Sequence, residues 1–284
     1  MIALDGLGEI APRYDAVLSD VWGVVHNGVA AHPTAVEALV NYRRQGGRVV
    51  LITNAPRPST PIITMLDDLG VSREAYDSVV SSGDATRVIL ADYRGKTVHY
   101  VGPPDENDSL FDGLDITVGP PEQARAVVVT DLDHDDDTPD MYNDRITLWL
   151  SRNLPLIAAN PDRVVEHGDR LIYCGGALAD LYEARGGMIV MVGKPYKPIY
   201  TEALRLADKA AGKSLDRSRI LAIGDSVRTD AIGAAGAGLD LLFITGSIHA
   251  AELDAFGKPD PEAIRALVGP SGANVAGFMP RLAW

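Results

Sequence analysis

Short apolar runs that stop on a polar residue or a glycine alternate along this chain with longer stretches patterned at helical spacing. Residues 15–20 read as a buried strand: Val17 and Leu18 lead into Asp20, and Gly23 and Gly28 break the chain behind it. Residues 33–45 carry Ala35, Leu39 and Tyr42 at helical spacing, and Gly46 and Gly47 stop that helix. A second buried strand, 48–52, runs into Thr53 and Asn54. A helix over 61–70, a strand end over 79–84 and a helix over 85–93 follow. The middle of the chain repeats the rhythm. Strands are predicted at 97–101, 124–130 and 155–159, and helices at 142–152 and 176–184. A polar loop with Pro103 and Pro104 follows the first of these strands, and an acidic loop over 131–137 follows the second. Strand 189–192, helix 198–211, strand 220–223, helix 230–237 and strand 240–244 then resume the first pattern.

The order βα, βα, inserted module, βα, βα, β predicts an α/β protein. Its core is a Rossmann-like, doubly wound parallel sheet built from residues 1–84 and 188–284, interrupted by a smaller α/β cap over 85–187. In such sheets the carboxyl ends of the strands share one rim, where ligands bind. Asp20, Thr53, Lys194 and Asp225 each follow an apolar run, with Asp230 five positions after Asp225. Taken alone, Asp20 is a nucleophile, a metal ligand or a turn residue, and a Lys after Gly is commonly a surface turn. Together, two acids, a hydroxyl and an ammonium on one rim make a site for a phosphate-like oxyanion and a hard divalent cation, Mg²⁺ before Zn²⁺. Asp20 can attack phosphorus, dividing one difficult displacement into two, while Lys194 and Thr53 hold charge on the transferring group. Asp230, at a helix start, orients Lys194, orients a metal-bound water or caps the helix.

Composition narrows the partners. The 284 residues are 46% hydrophobic and carry a formal net charge of -13. That acidity argues against a nucleic-acid or anionic-membrane footprint, which recruits Lys and Arg. A single cysteine, Cys174, forbids an internal disulfide and fits a reducing compartment, so a cytoplasmic protein is expected. No apolar run approaches the ~20 residues that span a bilayer. Cys174 reads as a small buried residue, and the acidic loop with His134 as a solvated segment in preference to a second metal site. The glycines over 233–238 lack the strand-then-GxGxxG order of a dinucleotide loop.

The motifs LITNAPR (51–57), SSGDAT (81–86), AANPD (158–162), GKP (193–195) and GDSVRTD (224–230), with Asp20, resemble those of the haloacid dehalogenase-like superfamily. The likeness covers nearly the whole chain. The inserted module resembles the cap of subfamily IIA, the branch of NagD-type, para-nitrophenyl, pyridoxal-phosphate and phosphoglycolate phosphatases. The resemblance implies an Asp20 nucleophile, Mg²⁺ held by Asp20, the Trp22 carbonyl and Asp225, phosphate binding by Thr53 and Asn54, and Lys194 as charge stabiliser. Ser226 and Asp230 would support the site, and Asn160 and Asp162 in the cap would read the substrate, a small phosphorylated metabolite such as a sugar phosphate. A homodimer through the cap is also implied. One position departs from the family: its phosphatases carry a second Asp, the general acid and base, where this chain has Trp22. Indole cannot shuttle protons, and the loss of such a group typically costs ~10² to 10⁴ in rate. His26 is a candidate substitute donor. Two functions follow: a phosphatase acting through an aspartyl-phosphate, or a binding protein that keeps the phosphate and Mg²⁺ site without turnover.

Overall fold

The computed structural model describes residues 1–103, 108–167, 170–257 and 259–284; residues 104–107 of the predicted polar loop lie outside them. In chain order the elements are β1 (Ala16–Asp20), α1 (Pro33–Arg44), β2 (Arg48–Thr53), α2 (Ser59–Asp68), β3 (Ser78–Ser81), α3 (Ser82–Leu90), β4 (Lys96–Val101), β5 (Ile116–Val118) and β6 (Val127–Val129). They continue with α4 (Asn143–Ser151), β7 (Leu156–Ala158), β8 (Val164–His167), β9 (Arg170–Tyr173), α5 (Gly175–Ala184), β10 (Ile189–Met191) and α6 (Lys197–Ala211). The chain closes with β11 (Ile220–Gly224), α7 (Ile232–Ala237), β12 (Asp240–Ile244), α8 (Pro261–Val268) and β13 (Asn274–Met279).

The chain divides into two compact units, the first of Met1–Thr53, Thr60–Val80 and Lys194–Trp284, the second of Asn54–Ser59 and Ser81–Gly193. The first holds a six-stranded sheet in the order β13-β12-β11-β1-β2-β3. β1 sits between β2 and β11 and is parallel to both, and β11, β12 and β13 continue in parallel. Its central strands are buried along their length, as their unbroken apolar runs require: Val17, Leu18, Val50, Leu51, Leu221, Leu242 and Phe243 have almost no exposed surface. The second unit holds a five-stranded sheet, β10-β7-β6-β4-β5, and the antiparallel pair β8–β9. Trp149 and Tyr182 are fully buried there and meet edge to face with ring centres 6.1 Å apart.

Three features differ from expectation. The run over 189–192, predicted to return the chain to the first sheet, forms β10, which pairs with β7 of the second: Ile189 opposes Leu156 and Met191 opposes Ala158. An apolar run shows that a strand is buried, but its partner is set by which unpaired edge it reaches. The strand end predicted over 79–84 turns helical at Ser82 because Ser81 and Asp84 form a capping box. The Ser81 hydroxyl accepts from Asp84 N at 2.9 Å and the Asp84 carboxylate accepts from Ser81 N at 3.1 Å. Strands β5, β8, β9 and β13 and helix α8 were not anticipated; β5 is three residues long and partly exposed, with little periodicity to read.

Asp77, just before β3, ties that edge to the rest of the sheet. Its carboxylate accepts from Arg43 Nε (3.0 Å) and Nη2 (2.7 Å) of α1 and from Val49 N (2.8 Å) of β2. Asp77→Ala would leave the Arg43 guanidinium with only the Glu74 carbonyl (2.6 Å) and the Val49 N–H without its acceptor. A loss of about 2–3 kcal/mol is expected, read as a lower urea midpoint; an unchanged midpoint would deny the clamp its role.

Candidate active site

β1 delivers Asp20 to the carboxyl rim of the first unit's sheet, and the strand register places its neighbours. Asp20 opposes Ile52, so Thr53 stands one residue further along β2. Ser19 opposes Ile223, so Gly224 closes β11 level with Asp20 and Asp225 follows one residue beyond it. Past β11 the chain enters a π-helical turn, Val227–Ala231, capped by the Ser226 hydroxyl on Thr229 N (3.4 Å). That turn brings Asp230 back over the strand end. A side chain at Gly224 would collide with Asp230, so the fold requires the glycine there.

Lys194 joins these elements. Its Nζ donates to Asp20 Oδ1 at 2.6 Å and to Asp230 Oδ1 at 2.7 Å, and all three side chains are almost wholly buried. Asp20 Oδ1 also accepts from Val21 N (2.8 Å), and Asp230 Oδ2 from Ser226 N (3.1 Å). Ser226 therefore acts on Asp230 through its backbone N–H. Asp225 completes the cluster: one oxygen from each of Asp20, Asp225 and Asp230 lies within 4.8 Å of the others. Asp225 Oδ2 is buried without a hydrogen-bond partner. Gly23, in the positive-φ region at +82°, packs so tightly on that oxygen that any side chain would strike it.

Gathering three carboxyl groups around one ammonium makes full ionisation of the cluster costly in a low-dielectric interior. The side chains register this. Burial, followed by Asp230, drives Asp20 well above the usual carboxylate range, and burial with Asp230 pushes Asp225 up to about 6. Burial alone would favour a neutral Lys194, but Asp20 and Asp230 outweigh it and keep the ammonium charged. An unpartnered carboxylate oxygen in a set of hard oxygen donors suits a divalent cation, which would offset the cost of full ionisation. Tyr200, not foreseen from the sequence, is buried beside this cluster, and its hydroxyl is raised by burial and by Asp230.

Trp22 and His26 belong to the turn after β1. Trp22 forms a bridge with His26, and the residue is half-exposed. His26 is buried, burial pulls its imidazole below the ordinary value, and Nδ1 accepts from Gly28 N at 2.9 Å. The ring is thus neutral near pH 7, with its proton assigned to Nε2, and it braces the turn.

The remaining predicted residues gather in the second unit. Asn54 Nδ2 donates to Asp162 Oδ1 (3.2 Å), Asp162 N to Asn160 Oδ1 (3.1 Å), and Asn160 Nδ2 to Asp131 Oδ1 (2.9 Å). Asp131 is the residue the sequence reading missed. Grouped with a solvated acidic loop, it is in fact pushed up to about 6 by burial. It follows β6 closely, as Asp20 ends β1, and that placement was the available signal. Further along the loop Asp133 pairs with Arg145 (2.5 Å) and Asp137 accepts from the Tyr142 hydroxyl (2.6 Å), so these acids too are engaged. Cys174 is buried with its thiol raised by burial, an inert state.

Comparison with known proteins identifies the chain's relatives. Residues 17–116 match the haloacid dehalogenase-like hydrolase family, and residues 191–266 a second, HAD-hydrolase-like family. The chain is 42% identical to a hydrolase of the haloacid dehalogenase-like family from Brucella suis 1330, covering 98% of this chain and 99% of that one with a TM-score of 0.82. It is 25% identical over 270 residues to D-glycerol 3-phosphate phosphatase of Mycobacterium tuberculosis, 88% of this chain and 68% of that protein. A glycerol phosphate phosphatase from Mycobacterium tuberculosis, solved in complex with magnesium, is 25% identical with a TM-score of 0.67, covering 88% of this chain and 74% of that one.

The raised carboxyls set a pH dependence. A folded-state value of about 6 for Asp225, against 3.8 unfolded, means the folded protein binds that proton more tightly. Stability from this group is therefore present at low pH and lost as pH rises from about 4 to about 6. With divalent cations chelated, Asp225→Asn should gain melting temperature relative to the natural protein across that window and hold the difference above it. A difference that does not move with pH would mean Asp225 is not the titrating group.

Proposed function

Because the chain belongs to the haloacid dehalogenase-like hydrolase family, we propose that it is a Mg²⁺-dependent phosphatase of small phosphorylated metabolites, sugar and polyol phosphates among them, working in the cytoplasm. The observation that carries this reading is the buried Lys194 bridging Asp20 and Asp230 beside the orphaned Asp225 oxygen. Asp20, Asp225 and the Trp22 carbonyl would hold Mg²⁺, which supplies charge neutralisation for an approaching phosphate dianion.

Asp20 is the nucleophile. Lys194 fixes its carboxylate by holding Oδ1 and carries positive charge to where the phosphoryl oxygens gather. Thr53, on the neighbouring strand, offers a hydroxyl to those oxygens. Asp230 positions Lys194 and is itself held by Ser226 N. Asn54, Asn160 and Asp162 contact the organic part of the substrate. The second unit supports self-association in this reading, with Val164 and Val165 exposed on its hairpin. Among the described residues no helix is long and apolar enough to cross a membrane.

With Mg²⁺, para-nitrophenyl phosphate should be hydrolysed, because its leaving group departs without a proton. Asp20→Asn should reduce turnover to background and chelation should do the same reversibly; an Asp20→Asn protein with full turnover would remove the nucleophile. At 100 times its dissociation constant, Mg²⁺ should add about 2.7 kcal/mol of stability, visible as a thermal shift that Asp225→Asn loses. Phosphate and Mg²⁺ binding without turnover of any ester would instead favour a binding protein.

A further inference from the structure

Beyond the residues already placed, β12 brings a further polar side chain to the carboxyl rim of the first unit's sheet. β12 lies beside β11, with Phe243 opposite Gly224, so the chain leaves β12 next to Asp225. Contact with the end of β13 continues past Ile244. Thr245 N donates to Met279 O at 3.0 Å, and Gly246 N donates to Pro280 O at 2.9 Å. A side chain at Gly246 would strike the Pro280 carbonyl and the Phe256 ring, so the backbone is held closely there. Ser247 comes next, and its own carbonyl accepts from Ala250 N at 2.9 Å. The residue is thus anchored on both sides.

Its hydroxyl meets Asp225. A side chain at Gly23 would collide with Ser247 Oγ as well as with Asp225 Oδ2, so both oxygens press on the same glycine. The hydroxyl hydrogen-bonds the carboxylate and favours its ionised form, while Oδ2 keeps no partner. Lys194 serves Asp20 and Asp230; Asp225 draws a donor from the loop after β12 instead. The type of donor matters. An ammonium or guanidinium in this place would orient the carboxylate equally well but would repel a divalent cation beside it. A hydroxyl donates a hydrogen bond and adds no charge.

Resting on the reading above in which Asp225 holds Mg²⁺, we infer that Ser247 is a positioning residue for the cation. Its hydroxyl fixes the Asp225 carboxylate and leaves Oδ2 as the ligand atom. A carboxylate free to turn about its Cβ–Cγ bond must be ordered when the cation arrives, whereas one already held by a neighbour is ordered when the protein folds.

Calorimetric titration of Mg²⁺ into the folded full chain, without substrate, reads this role apart from turnover. Ser247→Ala should weaken Mg²⁺ binding about 10- to 100-fold, the range for hydrogen-bond partners of metal ligands. The melting temperature of the chelated protein should stay near that of the natural one. Ser247→Thr, which keeps the hydroxyl, should recover most of the affinity, and Ser247→Cys, a weaker donor in the same place, should fall between. Mg²⁺ affinity unchanged across these variants would overturn the inference and leave the Mg²⁺ reading intact. A lower melting temperature of chelated Ser247→Ala with Mg²⁺ affinity unmoved would likewise overturn it, assigning Ser247 to loop packing. A natural protein that binds no Mg²⁺ would overturn both.

Discussion

One buried ammonium shared by two buried carboxylates is the contact on which the proposed chemistry depends. Lys194 reaches Asp20 and Asp230 within 2.7 Å, and its removal would strip both buried carboxyl groups of their cationic partner. The arrangement is deliberately incomplete. Asp225 stands beside it with an oxygen that nothing in the described protein satisfies. A rim where three buried carboxyl groups meet one ammonium is well suited to a hard cation. Much of the local architecture serves this point: the glycines at 23 and 224 clear space for carboxylates, and the π-helical turn carries Asp230 back over β11.

The second unit repeats a simpler version of the same device. Its strand-end acid, Asp131, is buried and held by Asn160, which is linked through Asp162 to Asn54. Three residues proposed to meet the substrate thus form one chain of hydrogen bonds whose members fix one another's orientation. Such a chain is stiff because each member satisfies the next, and a rigid polar surface discriminates among substrates better than a mobile one.

Trp22 gives the molecule its particular character. The turn after β1 carries a half-exposed Trp22 where, by resemblance to the family's phosphatases, a proton-carrying carboxylate is expected. His26 in the same turn is buried, and its Nδ1 accepts from Gly28 N–H.

The sequence alone determined the α/β class, and it predicted an interrupted order of elements and Asp20, Thr53, Lys194 and Asp225 as rim residues, because buried parallel strands leave apolar runs and the residues that end them are legible one by one. It supplied Lys194, however, by a route the structure does not follow. The run before it is not a strand of the same sheet as β1 but β10 of the other unit, and the lysine reaches Asp20 after the chain leaves that strand. Pairing partners, the burial of Asp131, the capping box that ends β3 at Ser81 and the occupation of His26 were decided only by tertiary structure. Each depends on what lies across from a residue, and a one-dimensional pattern of apolar and polar positions records how buried a segment is without recording its neighbour.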